Sequence, residues 1–339
     1  MNVSSLICKS LLTSTLLLSG VAFSACGSSN SPDEGTEEKK TYKPTQVILG
    51  WTHVPNDNLP SYIYIFKSPA TLQGRNAVAW LAVLDLNEAP AGAFDIVGEK
   101  KGLYTPATYY KNNSQPAIIM NGGYFTTSGS LSLMARGGEL LCSNVATVTR
   151  SDGSANTSFY PTRGIFSLRA DGSYKAEWVY TASDGFTYSY PRPAANKAGT
   201  TPLQMPSATF PSGGTQWSAQ TAIGGGPVLV KGSAIQNTWV EELIDAGSGV
   251  GPETTNPRSA IGYTRNNHLI FFCCEGRNMT SGVPGYTLAE VAAIMRDLGC
   301  TEALNLDGGG SSCLLINGEE TIKPSDGKQR SVSGCVVMR

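Results

Sequence analysis

The sequence predicts an α+β fold, with a mixed β-sheet core and a few helices in a single domain. Short apolar runs recur along the chain between Gly, Pro, Asn and Asp residues, as expected of strands. One stretch near position 290 has both the period and the end signals of a helix. The roughly 290 residues after position 45 are enough for one large domain or two small ones, and the absence of a Pro- or Ser-rich linker favours a single domain.

The strands are predicted from runs rich in β-branched and aromatic residues. In chain order they cover residues 61–66, 77–86, 116–120, 164–168, 221–223, 228–230, 261–264, 269–272, 303–306 and 313–316. Two of them have an arginine at the entrance, Arg163 after Pro161 and Arg258 after Pro257. Residues 183–214 are rich in Pro, Ser, Thr and Gly and are interpreted as a long loop or insertion, either a lid or a surface excursion.

The clearest helix is predicted at residues 287–298. Thr287 and Glu290 have the spacing of a capping box, and an apolar stripe follows at Leu288, Val291, Met295 and Leu298. Gly299 ends the helix. The chain then enters the strand at 303–306, which places Asp307 at the carboxyl end of that strand.

Three predicted strands end in glycine-rich loops, at residues 121–125, 224–227 and 307–312. Glycine lets a ligand approach the main chain closely, and bare amides can form a concave anion site. If the three strands are neighbours, the loops meet at one edge of the sheet, where open sheets commonly bind ligands. An ordinary glycine-rich hairpin with a turn aspartate is the alternative interpretation of the last loop.

The N-terminus predicts export and a lipid anchor. Residues 1–25 are interpreted as a lipoprotein signal peptide, with Lys9 before an apolar run that is short for a membrane span. Cys26 after small residues is the predicted lipidation site, with ordinary secretion as the alternative. Residues 26–45 are predicted to be a flexible tether and 46–339 the folded domain. The expected location is the cell envelope, periplasmic or at the cell surface.

Composition argues against several classes of function. With 25 Lys and Arg against 26 Asp and Glu, the chain has no basic footprint for nucleic acid. The only histidines are His53 and His268, and there is no Cys-x-x-Cys, so we predict no zinc site and no Ser-His-Asp hydrolase. His268 is expected to be exposed in a polar turn. Six cysteines follow Cys26, and export would permit disulfides whose pairing the sequence leaves open.

The motifs together resemble the phosphodiester glycosidase family. The resemblance covers about residues 75–339 and rests on seven segments in order: 121–125, 224–232, 257–262, 275–277, 286–290, 305–312 and 324–333. Bacterial members of this family include proteins associated with exopolysaccharide metabolism. The resemblance implies a hydrolase that releases a sugar such as N-acetylglucosamine from a phosphate-linked glycan or polymer, without a cofactor.

The resemblance also implies roles for individual residues. Asp307 is the expected nucleophile or general base, and Glu275 the second carboxylate of an oxocarbenium-stabilising site. The residues expected to hold the phosphate or the sugar are Asn121, Gly225, Arg258, Arg277, Asn305, Gly308, Gly309, Gly310, Ser311 and Arg330.

Two other functions stay open at this point. One is a non-catalytic surface lipoprotein that binds a glycan or polymer. The other is a phosphodiesterase that breaks a P–O bond with the help of a metal. The scarcity of histidine counts against the second, although Asp, Asn and carbonyl oxygens are suitable ligands for a Ca²⁺ ion.

Overall fold

Antiparallel β-sheets dominate the fold in the computed structural model, which describes residues 50–151 and 156–339. The predicted signal peptide, Cys26 and the tether lie outside the described residues. In the first half of the described chain the strands are β1 (Thr52–His53), β2 (Ile63–Lys67), β3 (Thr71–Leu72), β4 (Arg75–Asn76), β5 (Ala79–Asp85), β6 (Phe94–Gly98), β7 (Ile118–Asn121), β8 (Phe125–Thr126), β9 (Gly129–Ser130), β10 (Met134–Arg136), β11 (Glu139–Cys142), β12 (Val148–Ser151) and β13 (Asn156–Phe159).

The second half continues the same pattern of short strands. These are β14 (Arg163–Leu168), β15 (Tyr174–Thr181), β16 (Thr187–Tyr190), β17 (Thr215–Gln216), β18 (Thr221–Gly224), β19 (Val228–Lys231), β20 (Ala234–Ile235), β21 (Arg258–Thr264), β22 (His268–Cys274), β23 (Cys300–Asn305), β24 (Leu314–Ile316), β25 (Glu319–Glu320) and β26 (Gly334–Met338). The helices are α1 (Pro106–Asn112) and α2 (Leu288–Asp297), with 3₁₀ turns at Ala246–Ser248 and Gly309–Ser311.

Three large sheets form the body of the molecule. The eight-stranded sheet has the order β1-β2-β5-β22-β21-β23-β19-β20, and the seven-stranded sheet the order β11-β10-β18-β14-β15-β16-β17. The five-stranded sheet has the order β25-β24-β7-β26-β6. The predicted α+β class is confirmed, with far more strand than helix. Strand pairs of the described residues are antiparallel throughout, which refines the predicted mixed core.

The main core lies where the three sheets face one another. It includes Phe271 from the eight-stranded sheet, Phe166 from the seven-stranded sheet and Val336 from the five-stranded sheet. A second core fills the other face of the eight-stranded sheet, where α2 packs. Because its central strands are buried on both faces, they read in the sequence as continuous apolar runs. Cys273 belongs to the first core and Cys274 to the second, so the two side chains face opposite sides of the sheet.

Helix α2 confirms its predicted end signals. The Thr287 hydroxyl accepts the Glu290 amide while the Glu290 carboxylate accepts the Thr287 amide, which completes the capping box. Gly299 takes a left-handed conformation (φ 87°) and turns the chain into β23. None of the helices in the described residues has the length and hydrophobicity needed to cross a bilayer.

Two details differ from what the sequence suggested. His268 is buried, 4% exposed, with its Nε2 3.8 Å from Asp85, because it is the first residue of β22 and pairs with Asp85 in the central part of the eight-stranded sheet. Residues 183–214 contribute β16 to the seven-stranded sheet, and none of them lines the cavity described below. The six cysteines of the described chain are all buried and unpaired.

Candidate active site

The three glycine-rich loops meet at the junction of the three sheets, not along one sheet edge. They follow β7, β18 and β23, which belong to the five-, seven- and eight-stranded sheets respectively. Main-chain hydrogen bonds connect them: the Asp307 amide donates to Gly122 O at 3.0 Å, and the Gly226 amide donates to Asn305 O at 2.8 Å. Asp307 therefore lies where all three sheets converge.

A cavity of about 540 Å³ opens at this junction. Its lining contains one carboxylate, Asp307, and five arginines, within the part of the chain that the structure describes. The predicted site residues that line it are Gly225, Arg258, Arg277, Asp307, Gly308, Gly309, Gly310 and Arg330. An enclosed space with this charge balance suits an anionic ligand.

The Asp307 carboxyl group lies half-buried at the cavity wall and forms no salt bridge with another described residue. One oxygen accepts the Gly308 amide at 2.9 Å. Burial raises the pKa of Asp307 to about 6, while hydrogen bonds from Ser311 and Gly308 and the positive charges of Arg330 and Arg258 act in the opposite direction. A carboxyl with such a pKa is poised to exchange a proton near neutral pH.

Arg277 and Arg330 form one basic group at the cavity, held by Asp326. Arg330 makes a two-nitrogen contact with Asp326, the shorter at 2.7 Å, and its Nη1 donates to the Ser311 hydroxyl at 3.3 Å. Arg277 lies 4.0 Å from the same carboxylate and adopts a left-handed backbone (φ 55°), which is costly for a non-glycine residue. Asp326 orients both guanidinium groups and still leaves them a net positive charge.

Arg258 lines the cavity, but its guanidinium is committed to the protein. It is 1% exposed and donates to the main-chain carbonyls of Tyr286, Val250, Gly251 and Thr254. These bonds fix the wall segment 250–256. The predicted phosphate clamp therefore divides into a structural cation, Arg258, whose charge still acts on Asp307, and the two more exposed arginines at 277 and 330.

The glycines at 308–310 are required by close packing. A Cβ on Gly309 would meet Arg277 Nη2 at 2.8 Å, and one on Gly310 would overlap Arg330 and Asp326. Three of the loop amides are already bonded within the protein: Gly308 to Asp307, Gly309 to Pro257 and Ser311 to Gly308. The predicted role as anion donors does not match the placement of these three amides, because one bonds the Asp307 carboxylate and the other two bond main-chain carbonyls.

The remaining predicted residues lie behind the cavity wall. Asn121 is fully buried and bonds the carbonyls of Asp307 and Gly122, and Asn305 bonds Gly226 O and Leu306 O. Ser311 is buried between Arg330 and Asp307. The prediction that Asn121 and Asn305 hold substrate oxygens is therefore corrected. Their short amide side chains lie at strand ends and connect the three loops by hydrogen bonds.

Glu275 also does not reach the cavity. It is 3% exposed, and one of its carboxylate oxygens accepts the Lys323 amide at 2.9 Å. The neighbouring Gly276 packs so tightly that a Cβ would contact the Pro257 nitrogen. Through its bond to the Lys323 amide, Glu275 supports the segment that leads to Asp326 and Arg330, and it does not face Asp307.

Sequence reasoning missed several cavity residues. Tyr124 donates to Gly226 O and accepts from Asn305, and it follows the predicted Asn121 motif directly. Arg163 was recognised at a strand entrance, yet not placed in the site. Other missed residues that line the cavity are Asn144, Arg150 and Asn256. They come from loops and from the β12–β13 hairpin, whose path no local pattern in the sequence specifies.

In the described residues, no group of three or more His, Cys, Asp or Glu side chains is placed to hold a metal ion.

Similarity to known proteins covers most of the described chain. Residues 114–339 match the model of the phosphodiester glycosidase family. A stretch of 101 residues is 35% identical to N-acetylglucosamine-1-phosphodiester alpha-N-acetylglucosaminidase of Homo sapiens, which is 30% of this chain and 19% of that protein. The Mus musculus protein of the same name is 36% identical over 78 residues, which is 23% of this chain and 14% of that protein. The matched stretch thus spans less than a fifth of these relatives.

Solved structures share the fold at low identity. The catalytic domain of the zebrafish enzyme of the same name, auto-inhibited by its pro-peptide, superposes with a TM-score of 0.57 at 19% identity, covering 84% of this chain and 85% of that one. A hypothetical protein from Synechocystis gives a TM-score of 0.55 at 17% identity, with 87% and 69% covered. Together with the family match over residues 114–339, these likenesses confirm what the motifs indicated: the chain belongs to the phosphodiester glycosidase family.

Proposed function

We propose that this protein hydrolyses a sugar-1-phosphodiester by breaking the C–O bond at the anomeric carbon. The products are a free sugar, such as N-acetylglucosamine, and a phosphomonoester on a glycan or polymer. The observation that carries the proposal is the lining of the cavity, where one carboxylate with a raised pKa faces five arginines. The names of the human and mouse relatives support this substrate class.

The charges suit this reaction better than an ordinary glycoside hydrolysis. Glycosidases generally use two carboxylates, one of which protonates a poor alkoxide leaving group. A phosphomonoester leaves more readily and needs positive charge instead of a general acid. In this cavity Arg277 and Arg330 are the groups suited to receive it, because guanidinium forks match phosphate oxygens.

Asp307 supplies the remaining chemistry in this proposal. Its ionised carboxylate stabilises positive charge at the anomeric carbon, as a nucleophile or as a base toward water. Overall, water adds its hydroxyl to the sugar, the C–O bond electrons stay with the phosphate, and the released proton passes to solvent. Ser311 and the Gly308 amide hold the carboxylate in place.

Hydrolysis in ¹⁸O-labelled water tests the proposal. A panel of sugar-1-phosphodiesters and UDP-N-acetylglucosamine is incubated with the purified protein, and the products are resolved by NMR and mass spectrometry. We expect the label in the free sugar. Label in the phosphate would mean P–O cleavage, the alternative metal-assisted reaction, and EDTA would then abolish turnover. Tight binding without turnover of any compound would favour a glycan-binding lipoprotein.

We further propose that the mature chain is anchored to a membrane of the cell envelope by lipid on Cys26, within reach of envelope glycans. The support is the sequence of residues 1–45, with its short apolar run, small residues before Cys26 and polar tether.

A further inference from the structure

The cavity lining contains a second set of basic side chains besides Arg277 and Arg330. Arg163 begins β14, lines the cavity and is 9% exposed. Its Nε has no hydrogen-bond partner in the described chain, and its Nη2 lies 3.5 Å from Leu243 O. No described carboxylate forms a salt bridge with it. A buried cation that forms no salt bridge is costly, and an anionic ligand bonded to it would offset that cost.

The carboxylate whose charge acts most strongly on Arg163 already accepts hydrogen bonds from other groups. Glu242 is fully buried, and its charge acts on Arg163. Its two oxygens accept hydrogen bonds from the amides of Gly164 and Val228 and from the side chains of Trp178 and Thr238. Because its oxygens already accept these four hydrogen bonds, Glu242 makes none to Arg163, and it holds the chain after Gly226 in place.

Two neighbours of Arg163 complete the group. Arg150 pairs with Asp245 at 2.9 Å and donates to the same Leu243 carbonyl at 2.6 Å. Leu243 has a left-handed backbone (φ 51°), so the carbonyl that both arginines share is held in an unfavourable conformation. Asn144 lines the cavity as well; its Oδ1 accepts the Leu133 amide, while its buried Nδ2 has no acceptor in the described chain.

This group is distinct from the one around Asp307. The arginines whose charges act on Asp307 are Arg330 and Arg258. The charges that act on Arg163 are those of Arg150 and of the acidic residues at 242 and 245. Tyr124 also lines the cavity, and the charges of both Asp307 and Arg163 act on its hydroxyl group. One cavity thus offers two sets of arginines for negative charge, Arg277 and Arg330 in one and Arg163 and Arg150 in the other.

We propose that Arg163, Arg150 and Asn144 form a subsite for a second phosphate group of the substrate, so that the enzyme prefers substrates with a phosphate adjacent to the scissile phosphodiester. The Nε of Arg163 and the Nδ2 of Asn144, which lack acceptors in the described chain, are donors that phosphate oxygens accept, and Arg150 adds positive charge beside them. The inference rests on the proposed function and specifies its substrate: a chain with repeated phosphates, not a sugar linked through a single phosphodiester to a neutral alcohol.

Three synthetic substrates test the preference. The parent is N-acetylglucosamine-1-phosphate esterified to ethylene glycol. The other two add a phosphate, either at the free glycol hydroxyl or at O6 of the sugar. We expect one of the doubly phosphorylated compounds to exceed the parent in kcat/KM by about 10-fold or more, as charge-assisted hydrogen bonds predict. Equal or lower kcat/KM for both compounds overturns the subsite.

Variants assign the preference to these residues. The variants are Arg163→Met and the isosteric Asn144→Asp, which keeps the Leu133 contact and adds negative charge. Each should remove most of the ratio of kcat/KM for the preferred doubly phosphorylated substrate to kcat/KM for the parent. Arg169→Met is the matched control, because Arg169 follows the opposite end of β14, pairs with Glu177 and does not line the cavity. An unchanged ratio in a folded Asn144→Asp protein contradicts the assignment even if Arg163→Met fails to fold.

A binding measurement separates this inference from the proposed function. If the wild-type protein hydrolyses none of the three compounds, the proposed function fails, and calorimetric titration with inorganic phosphate alone decides the subsite. Phosphate should still bind to the Arg330→Met protein and should no longer bind once Arg163→Met is added. Loss of binding with Arg330→Met alone, or persistence in the double variant, overturns the subsite.

Discussion

Asp307 is the one carboxylate among the described residues that line the cavity, and Asn is close to it in shape. We expect Asp307→Asn to lower kcat by about 100-fold or more, the usual cost of losing a positioned acid–base or charge-stabilising group. Asn still accepts the Gly308 amide and removes a buried charge, so the melting temperature should not fall. Asp171→Asn, at an exposed turn, is the control. Normal turnover of the folded Asp307→Asn protein would mean that Asp307 is only a turn residue.

The raised pKa of Asp307 predicts a pH dependence of catalysis. If the ionised form is active, kcat/KM should increase with pH through about 6. Arg330→Gln removes a positive charge that holds this pKa down, so the midpoint should move to higher pH. The pH profile of both proteins with one phosphodiester substrate measures the shift; a midpoint that stays in place contradicts the coupling.

The raised pKa of Asp307 changes stability with pH in the direction opposite to its effect on activity. The folded protein holds the Asp307 proton more tightly than the unfolded chain, whose ordinary value is 3.8. The contribution of this group to stability is therefore complete below pH of about 4 and is lost as the pH rises through about 6. Activity and the stability contribution of Asp307 thus change in opposite directions, as is common at active sites.

A substitution at Gly310 tests whether the close packing of the 308–310 loop against Arg330 matters for activity. Gly310→Ala would push its Cβ into Arg330 and Asp326, which are ends of flexible side chains and can move. We expect kcat/KM to fall about 10-fold or more, as when a charge-assisted contact is lost, with little change in melting temperature. Gly102→Ala displaces the Glu99 carboxylate away from the cavity and is the control. Equal activity of both variants would show that the position of Arg330 is unimportant.

At the level of elements, α2 supports the strand that ends at the site. The helix packs on β19 and β23 and connects to β23 through Gly299. Thr287→Ala removes the capping box and should lower the free energy of unfolding by about 1 kcal/mol, while Thr287→Ser keeps the hydroxyl and should cost little. Urea denaturation measures both. Because neither Thr287 nor Glu290 lines the cavity, a large loss of kcat in Thr287→Ala would contradict a purely structural role for the cap.

Element prediction worked best where burial and end signals coincide. The predicted strand at 269–272 lies inside β22, and the predicted helix matches α2 to within about a residue. The two-residue strands β3, β8 and β17 carry no apolar pattern and were not predicted. Such short strands are set by their partners, and the sequence around them contains no periodic signal.

For the whole molecule, the tethered arrangement predicts a simple fractionation result. Cys26→Ser should release the protein from the membrane fraction of the producing cells, because a single acylated cysteine is the proposed anchor. Immunoblotting of membrane and soluble fractions, with metabolic labelling by a fatty acid, measures this. Cys142→Ser, at a buried position in the folded domain, is the control. Unchanged fractionation and labelling would contradict lipidation at Cys26.

The sequence by itself determined the fold class, the family and the position of Asp307 at a strand end, because buried strands, helix caps and glycine loops leave local patterns. Tertiary structure decided which polar residues reach the cavity. Asn121, Asn305 and Glu275 were predicted to act on the substrate but support the loops from behind, whereas Arg163 and Asn144 line the cavity from distant segments. Motif membership constrains the backbone, but the direction of a side chain depends on how three sheets pack against one another, which is a non-local property.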